Sequence, residues 1–440
     1  MNEEDLLSQP EALFDGIEPE DYLIATYIAS LKPKMNATTM AKFAAIEQST
    51  GTWVRVPKET EEVRKHHVAK VVGVYELPNF EYEVPKEVTH RDYVFQIAYP
   101  VVNLLKPNGE ANFPLMLTTV HGNISMGGKL KLVDVRYPKS FLKSFKGPKF
   151  GIEGIRKVLN VPERPLLNNM VKPCTGHTAD VAAELVYKAA VGGCDVVKDD
   201  ELIADVGFNT LEDRVHKVME AIDKANSEKG EKTLYTVNIT DNVPDVLELA
   251  DKVIEWGGNA LMLNYLPTGI TIMKKLAEDP SIKVPILAHM DFAGVWFEDQ
   301  WSGVASDLVL GKWPRMCGAD TIVLPAPYGK AVVVPERYFM QLKALRYPMQ
   351  HLKPTLPMPS GGITAGMVEK TMKDAGKDIM IGSGGGIHAH PDGPIKGAIA
   401  FRQAIDAAMK GIPAKTYAKD HEELAKALGL WGTKKTGPGH

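Results

Sequence analysis

Cysteine is scarce. The chain has three among 440 residues, Cys174, Cys194 and Cys317, and none are spaced as C-x-x-C. That excludes a disulfide framework and a cysteine-rich zinc site, and it fits a reducing cytoplasm. No apolar run reaches the roughly 18 residues of a membrane span, so no membrane partner is expected. The first residues, Met1-Asn2-Glu3-Glu4-Asp5, are acidic and lack the apolar core of a signal peptide. Charge of one sign is not in excess: 51 Lys+Arg stand against 55 Asp+Glu, a net charge of −4. Without a basic stripe, nucleic acid is not an expected partner. The sequence also lacks H-E-x-x-H, G-x-S-x-G and Walker patterns, and His66-His67 and His388-Ala389-His390 have no zinc-ligand spacing.

What is present describes an ordinary globular chain. Apolar residues make up 44% and charged residues 24%. The length suggests two or three domains of roughly 100–200 residues each. A core that large needs no metal or disulfide for stability, so any metal would serve chemistry.

The organisation changes near Gly147-Pro148-Lys149. Before it, strands are expected at 21–31, 68–75, 93–99 and 115–120. One helix is expected at 38–47, capped by Thr38 or Thr39. This reads as a small α+β, ferredoxin-like domain over 1–139. After it, short apolar runs alternate with helical patterns. Eight strands are expected, at 166–171, 194–197, 234–239, 260–264, 284–288, 320–324, 355–359 and 379–381. Helices lie between them, as at 178–191 and 243–256. Eight βα units over roughly 270 residues fit a (β/α)8 barrel, here 140–440 with a helical tail from Gly411. An open doubly wound sheet would need a Gly-rich first turn, and Lys172-Pro173-Cys174-Thr175-Gly176 does not supply one.

In a barrel the reactive side chains gather where strands end. The second strand runs into Lys198-Asp199-Asp200-Glu201. Alternation puts Lys198 and Asp200 on one side, with Glu201 just beyond. Two carboxylates there suit a hard cation such as Mg2+. An ammonium cannot join them, because it has no lone pair, until its charge is removed or inverted. A solvated charged turn would have the same composition. Lys172 ends the first strand and could polarise a carbonyl or move a proton; a surface charge is its plainer reading. Ser360-Gly361-Gly362 follows the seventh strand and Gly382-Ser383-Gly384-Gly385-Gly386 the eighth. Gly-rich loops at those two places suit a phosphate, since bare N–H groups can approach the anion. His289 ends the fifth strand, and Gly329-Lys330 lies in the loop after the sixth. Each of these alone reads as structural.

Together these segments resemble the RuBisCO large-subunit family, and within it the RuBisCO-like proteins. The strongest stretch, residues 192–201 (GGCDVVKDDE), is similar to the family's GGxDxxKDDE signature. Residues 47–53 (EQSTGTW) are similar to its N-domain ESSTGTW segment. The resemblance implies that Lys198 is carbamylated by CO2 and, as an anionic ligand, completes a Mg2+ site with Asp200 and Glu201. It implies catalytic roles for Lys172, His289 and Lys330, and phosphate binding by Ser360, Gly361, Gly362, Gly384 and Gly385. It implies a homodimer in which Glu47, Thr52, Trp53 and Asn123 of one subunit complete the partner's site. Residues 147–151 and 325–329 look like the methionine-salvage enolases of that group.

The departures are specific. Cys174 stands at the second lysine of the family's K-P-K. Met290 and Val323 replace an arginine and a histidine that grip one phosphate of ribulose bisphosphate. Asn123 stands where the salvage enolases use a lysine base. The expected activity is therefore Mg2+-dependent lyase or isomerase chemistry on a monophosphorylated keto sugar or keto sugar acid, through an enediolate. The alternatives are the 2,3-diketo-5-methylthiopentyl-1-phosphate enolase, and a non-catalytic sugar-phosphate binder.

Overall fold

The computed structural model describes residues 17–51, 56–330 and 333–433. The chain forms two compact units, Met1–Phe145 with Ala293–Val309, and Lys146–Phe292 with Leu310–His440.

In the first unit, strands β1 (Tyr22–Leu31), β2 (Lys70–Leu77), β3 (Arg91–Pro100) and β4 (Leu130–Arg136) and helices Ala37–Glu47 and Phe113–His121 follow one another as βαββαβ. The sheet order β4-β1-β3-β2 is that of a ferredoxin-like fold. β1 alternates strictly over most of its length, with Leu23, Ala25, Tyr27 and Ala29 inside. Two expectations are corrected. Residues 115–120 form part of a helix, not a strand. Asn112 caps it by accepting from Leu115 N (3.2 Å), and Pro114 sits in its first turn, where a missing N–H costs nothing. The first helix is capped by Asn36, which accepts from Thr39 N (2.9 Å), rather than by Thr38 or Thr39. Sequence reasoning also missed β4, whose Lys131 and Asp134 interrupt its apolar run. Gly303–Val304 (β10), far along the chain, adds to β4 in parallel and extends this sheet.

In the second unit eight parallel strands form a barrel. They are β5 (Leu166–Met170), β6 (Val196–Lys198), β7 (Leu234–Asn238), β8 (Ala260–Asn264), β9 (Ile286–His289), β11 (Thr321–Pro325), β12 (Leu356–Ser360) and β13 (Met380–Ser383). All eight expected strands occur, with no end shifted by more than two residues. β12 and β13 lie side by side at the seam, where a Cβ built on Gly382 would stand 3.1 Å from Ser360 Cβ. Leu166, Val196, Leu234, Met262, Val323 and Met358 fill the interior, so the barrel is a packed core and not a pore. Helix Ala179–Val191 starts at Thr178, whose side chain accepts from Val181 N. The tail is helical at Ala414–Tyr417 and Glu422–Trp431.

Asp195, inside the 192–201 string, holds β5 and β6 together. Its carboxylate takes both Arg164 guanidinium nitrogens at 2.7 Å and the Leu167 amide at 2.8 Å, with 1% of its side chain exposed. Removing one partner of such a pair strands a buried charge. Asp195→Ala should lower stability by roughly 3–5 kcal/mol. Urea unfolding followed by far-UV circular dichroism would check this. A change below about 1 kcal/mol, within the range of an exposed pair, would contradict it.

Candidate active site

The site is built at the carboxyl ends of the barrel strands. Lys198 is the last residue of β6 and points inward, 1% exposed. Its Nζ donates to Asp199 O (2.8 Å) and Glu201 Oε2 (3.1 Å), and lies 3.6 Å from Met262 Sδ. Asp200 is buried and accepts a hydrogen bond from Lys172 Nζ, which also reaches Cys174 Sγ at 3.0 Å. Glu201 Oε2 lies 3.3 Å from His289 Nε2. The structure thus brings together Lys172, Lys198, Asp200, Glu201 and His289.

Asp199 behaves differently. It turns away and accepts from Tyr235 OH (2.5 Å), Asn238 N (3.0 Å) and Arg214 Nε (3.3 Å). Within the KDDE run it is therefore an anchor, and Asp200 and Glu201 are the carboxylates that face the two lysines.

The electrostatics follow from these pairs. Burial alone would raise the Glu201 carboxyl. The charge of Lys198, and then that of His289, overrides it and holds the group at about 2. Burial would lower the Lys172 ammonium, but hydrogen bonds to Asp200 and Cys174 keep it above its ordinary value. Two buried polar atoms at adjacent strand ends, Asn264 Oδ1 and His289 Nδ1, have no hydrogen-bond partner among the described residues. Asn264 and His289 stand opposite each other in the β8–β9 register. His289 Nδ1 is 3.3 Å from Asp291 Oδ2 but out of hydrogen-bond alignment.

The glycine loops lie on the other side of Lys172. A Cβ on Gly384 would come within 2.8 Å of Lys172 Cε, so the lysine stem runs over that glycine. A Cβ on Gly385 would meet nothing within 4 Å, and Gly385 has no positive φ to require glycine. Its bare backbone borders open space beside Lys172. Gly361 and Gly362 both have φ of +91°, where other residues are strained. Lys330 N donates to Gly361 O (2.6 Å), which puts Lys330, itself exposed, beside the Ser360–Gly362 turn. Residues 331 and 332 lie outside the described residues.

Met290 packs against the barrel core, and Val323 is part of it at 2% exposure. Neither offers an anion a donor. In the first unit, Asn123 Nδ2 donates to Glu47 Oε1 at 3.4 Å. Thr52 and Trp53 lie outside the described residues.

Sequence reasoning missed three residues. His388 Nε2 bonds Asn169 Oδ1 (3.0 Å), whose amide donates to Ser383 O (3.1 Å). Asn264 Nδ2 donates to Glu201 O (3.1 Å). A polar residue in a buried strand is the one signal that could have found Asn169 and Asn264. For His388 the signal is its place directly after the Gly-rich loop.

Comparison with known proteins agrees with this geometry. The family model for the ribulose bisphosphate carboxylase large chain, catalytic domain, matches residues 151–431, and that for its N-terminal domain matches residues 16–141. A ribulose bisphosphate carboxylase-like protein of Archaeoglobus fulgidus is 55% identical over 96% of both chains. A 2,3-diketo-5-methylthiopentyl-1-phosphate enolase of Geobacillus thermodenitrificans is 36% identical over 93% of this chain and 98% of its own. Among solved structures, the rubisco-like protein MtnW of Alicyclobacillus acidocaldarius superposes with a TM-score of 0.85 at 36% identity, covering 94% of this chain and all of that one. The dimeric archaeal Rubisco of Hyperthermus butylicus gives 0.84 at 30% identity, over 96% and 99%.

His388 supplies a test of the site's electrostatics. Burial, and then the charge of Lys172, push its imidazole down to about 4, against the backbone carbonyl of Met170, which favours the protonated ring. A histidine with a depressed folded value stabilises fully above the unfolded value of 6.5. That stability is lost as pH falls from there towards 4. The loss should be roughly 1–3 kcal/mol, and His388→Gln should remove that part of the acid dependence. A proton NMR titration placing His388 at its ordinary value would contradict it.

Proposed function

The chain belongs to the RuBisCO large-chain family, and from that premise we propose that it is a non-carboxylating, Mg2+-dependent member. Its substrate is a monophosphorylated keto sugar or keto sugar acid, converted through an enediolate. One observation carries this reading. The Lys198, Asp200 and Glu201 set is assembled beside Lys172 and a bare Gly385, whereas Met290 and Val323 are apolar and packed into the barrel. A second phosphate at Met290 and Val323 would be buried without donors, which is costly.

The residues fit a Mg2+ ion under one condition. Among the described residues no three His, Cys, Asp or Glu side chains converge as a metal site. Asp200 and Glu201 supply two oxygen donors, and a third requires Lys198 as its carbamate. Asn264 Oδ1 and His289 Nδ1, without a hydrogen-bond partner among the described residues, leave polar capacity for ligands around it. Bound there, Mg2+ would supply electrostatic stabilisation of negative charge on substrate oxygens.

The chain's own groups do the rest. Lys172 holds its proton, so it acts first as a cation and proton donor to a developing oxyanion. The Ser360–Gly362 and Gly384–Gly385 backbones hold the single phosphate. Lys330 closes over the substrate from the sixth loop and grips a carboxylate, and closure excludes water. Breaking the bond to that carboxylate releases CO2 and leaves the electron pair in the enediolate, which Lys172 protonates. This route needs no base at carbon, and Cys174 and Asn123 stand where relatives use lysines. We therefore favour decarboxylation of a keto sugar-acid phosphate. The second reading is enolisation of the methionine-salvage diketone phosphate, favoured by the enolases at 36% identity.

The subunits pair as a homodimer in this proposal. Glu47, Thr52, Trp53 and Asn123 of one subunit complete the partner's barrel site.

Three outcomes follow. Lys198→Ala should abolish Mg2+-dependent turnover while the protein stays folded; normal turnover would remove the metal assignment. With Mg2+ and bicarbonate, 3-keto acid phosphates should release CO2 faster than any bisphosphate is turned over. Enol formed from the salvage diketone, with no CO2 from any acid, would instead establish the second reading. Mixed Glu47→Ala and Lys198→Ala subunits, once exchanged, should regain up to about a quarter of native activity, as one hybrid site in two is intact among half the dimers. No recovery after demonstrated exchange would exclude shared sites.

A further inference from the structure

The segment that carries Asp200 and Glu201 follows a strand of only three residues, Val196–Lys198, and belongs to no regular element itself. Something else must hold it. At its start, Asp199 is fixed by Arg214, Tyr235 and the Asn238 amide, and the Arg214 guanidinium also donates to Ala204 O (2.9 Å) at its end. Between these anchors, two buried carboxamides reach in from the next two strands. Asn238 Nδ2 donates to Ile203 O (2.9 Å) and, at 3.4 Å, to Asp200 O and Glu201 O. Asn264 Nδ2 donates to Glu201 O at 3.1 Å.

A third residue links the two amides. Thr240 donates to Asn238 Oδ1 from its backbone N (3.1 Å) and its hydroxyl (2.6 Å), and its Oγ1 accepts from Asn264 N (3.0 Å). With its oxygen facing Thr240, Asn238 must present its amino group to the loop carbonyls. The side chains of Asn238 and Asn264 are neutral, so they hold the backbone without competing for the charges of Lys198 and Lys172.

We infer that Asn238 and Asn264, coupled through Thr240, are positioning residues that set where the Glu201 carboxylate stands for a divalent cation. This rests on the reading that Asp200 and Glu201 bind that cation. Partners that orient metal ligands typically contribute 10–100-fold in affinity. The role is distinct from packing, because it acts on affinity in the folded protein.

The test is a Mn2+ titration of the full-length protein in bicarbonate buffer, with free Mn2+ read by EPR. Asn264→Leu keeps the volume and removes the donor. It should weaken Mn2+ binding by about 10–100-fold, with the far-UV circular dichroism of the metal-free protein unchanged. Thr240→Val, a smaller change that keeps the shape, should weaken binding in the same direction and serves if Asn264→Leu does not fold. Glu201→Gln is the control. If it abolishes binding while Asn264→Leu and Thr240→Val bind as the unaltered protein does, the positioning role is overturned and the metal reading stands. If the unaltered protein binds no Mn2+, or Glu201→Gln binds equally well, both fall. A lowered melting temperature with unchanged affinity would also overturn the inference, since a purely structural role predicts that result.

Discussion

Two lysine–carboxylate pairs at the mouth of the barrel set the terms for the rest of the site. Lys198 with Glu201, and Lys172 with Asp200, put four charges at the ends of neighbouring strands, one side chain of each pair, Lys198 and Asp200, nearly out of water. An isolated ammonium or carboxylate at such a depth would be costly, whereas paired charges satisfy each other. Pairing also stores reactivity. Lys198 holds the Glu201 carboxyl well below its ordinary value, and each of the two carboxylates is occupied by an ammonium. Removing the positive charge of Lys198 would release Glu201 and add a donor in a single step.

The loop holding these groups is scaffolded by residues of quite different chemistry. Asp195 ties β5 to β6 through Arg164, and Asp199 ties the loop to Arg214 and β7. Within one ten-residue run, two aspartates are structural and the remaining acids face the lysines. Met290, next to His289 in the chain, and Val323 on β11 are apolar and continuous with the packed interior.

Much of this was legible in the sequence because its signals are local. The eight barrel strands are short apolar runs bounded by turns, and strand periodicity marks them without tertiary information. The metal-site candidates were legible because Lys198, Asp200 and Glu201 are neighbours in the chain. Residues 115–120 were misread because Leu115, Met116, Leu117 and Val120 look strand-like as a run, and the cap at Asn112 with Pro114 decided for helix. The β4 strand was missed because its charged residues break the apolar pattern.

The sequence by itself determined the class of each half and the strand count of the barrel. Only the tertiary structure decided which aspartate does what. Asp199 and Asp200 are adjacent and chemically identical, and they are separated by the partners to which alternation points them, Arg214 and Tyr235 in one case and Lys172 in the other. Likewise Asn238 and Asn264 gain a role only because β7 and β8 carry them beside a loop some 40 to 60 residues earlier in the chain. Hydrogen bonds and ion pairs act over about 3 Å, a distance that sequence spacing does not encode once the chain has folded back on itself.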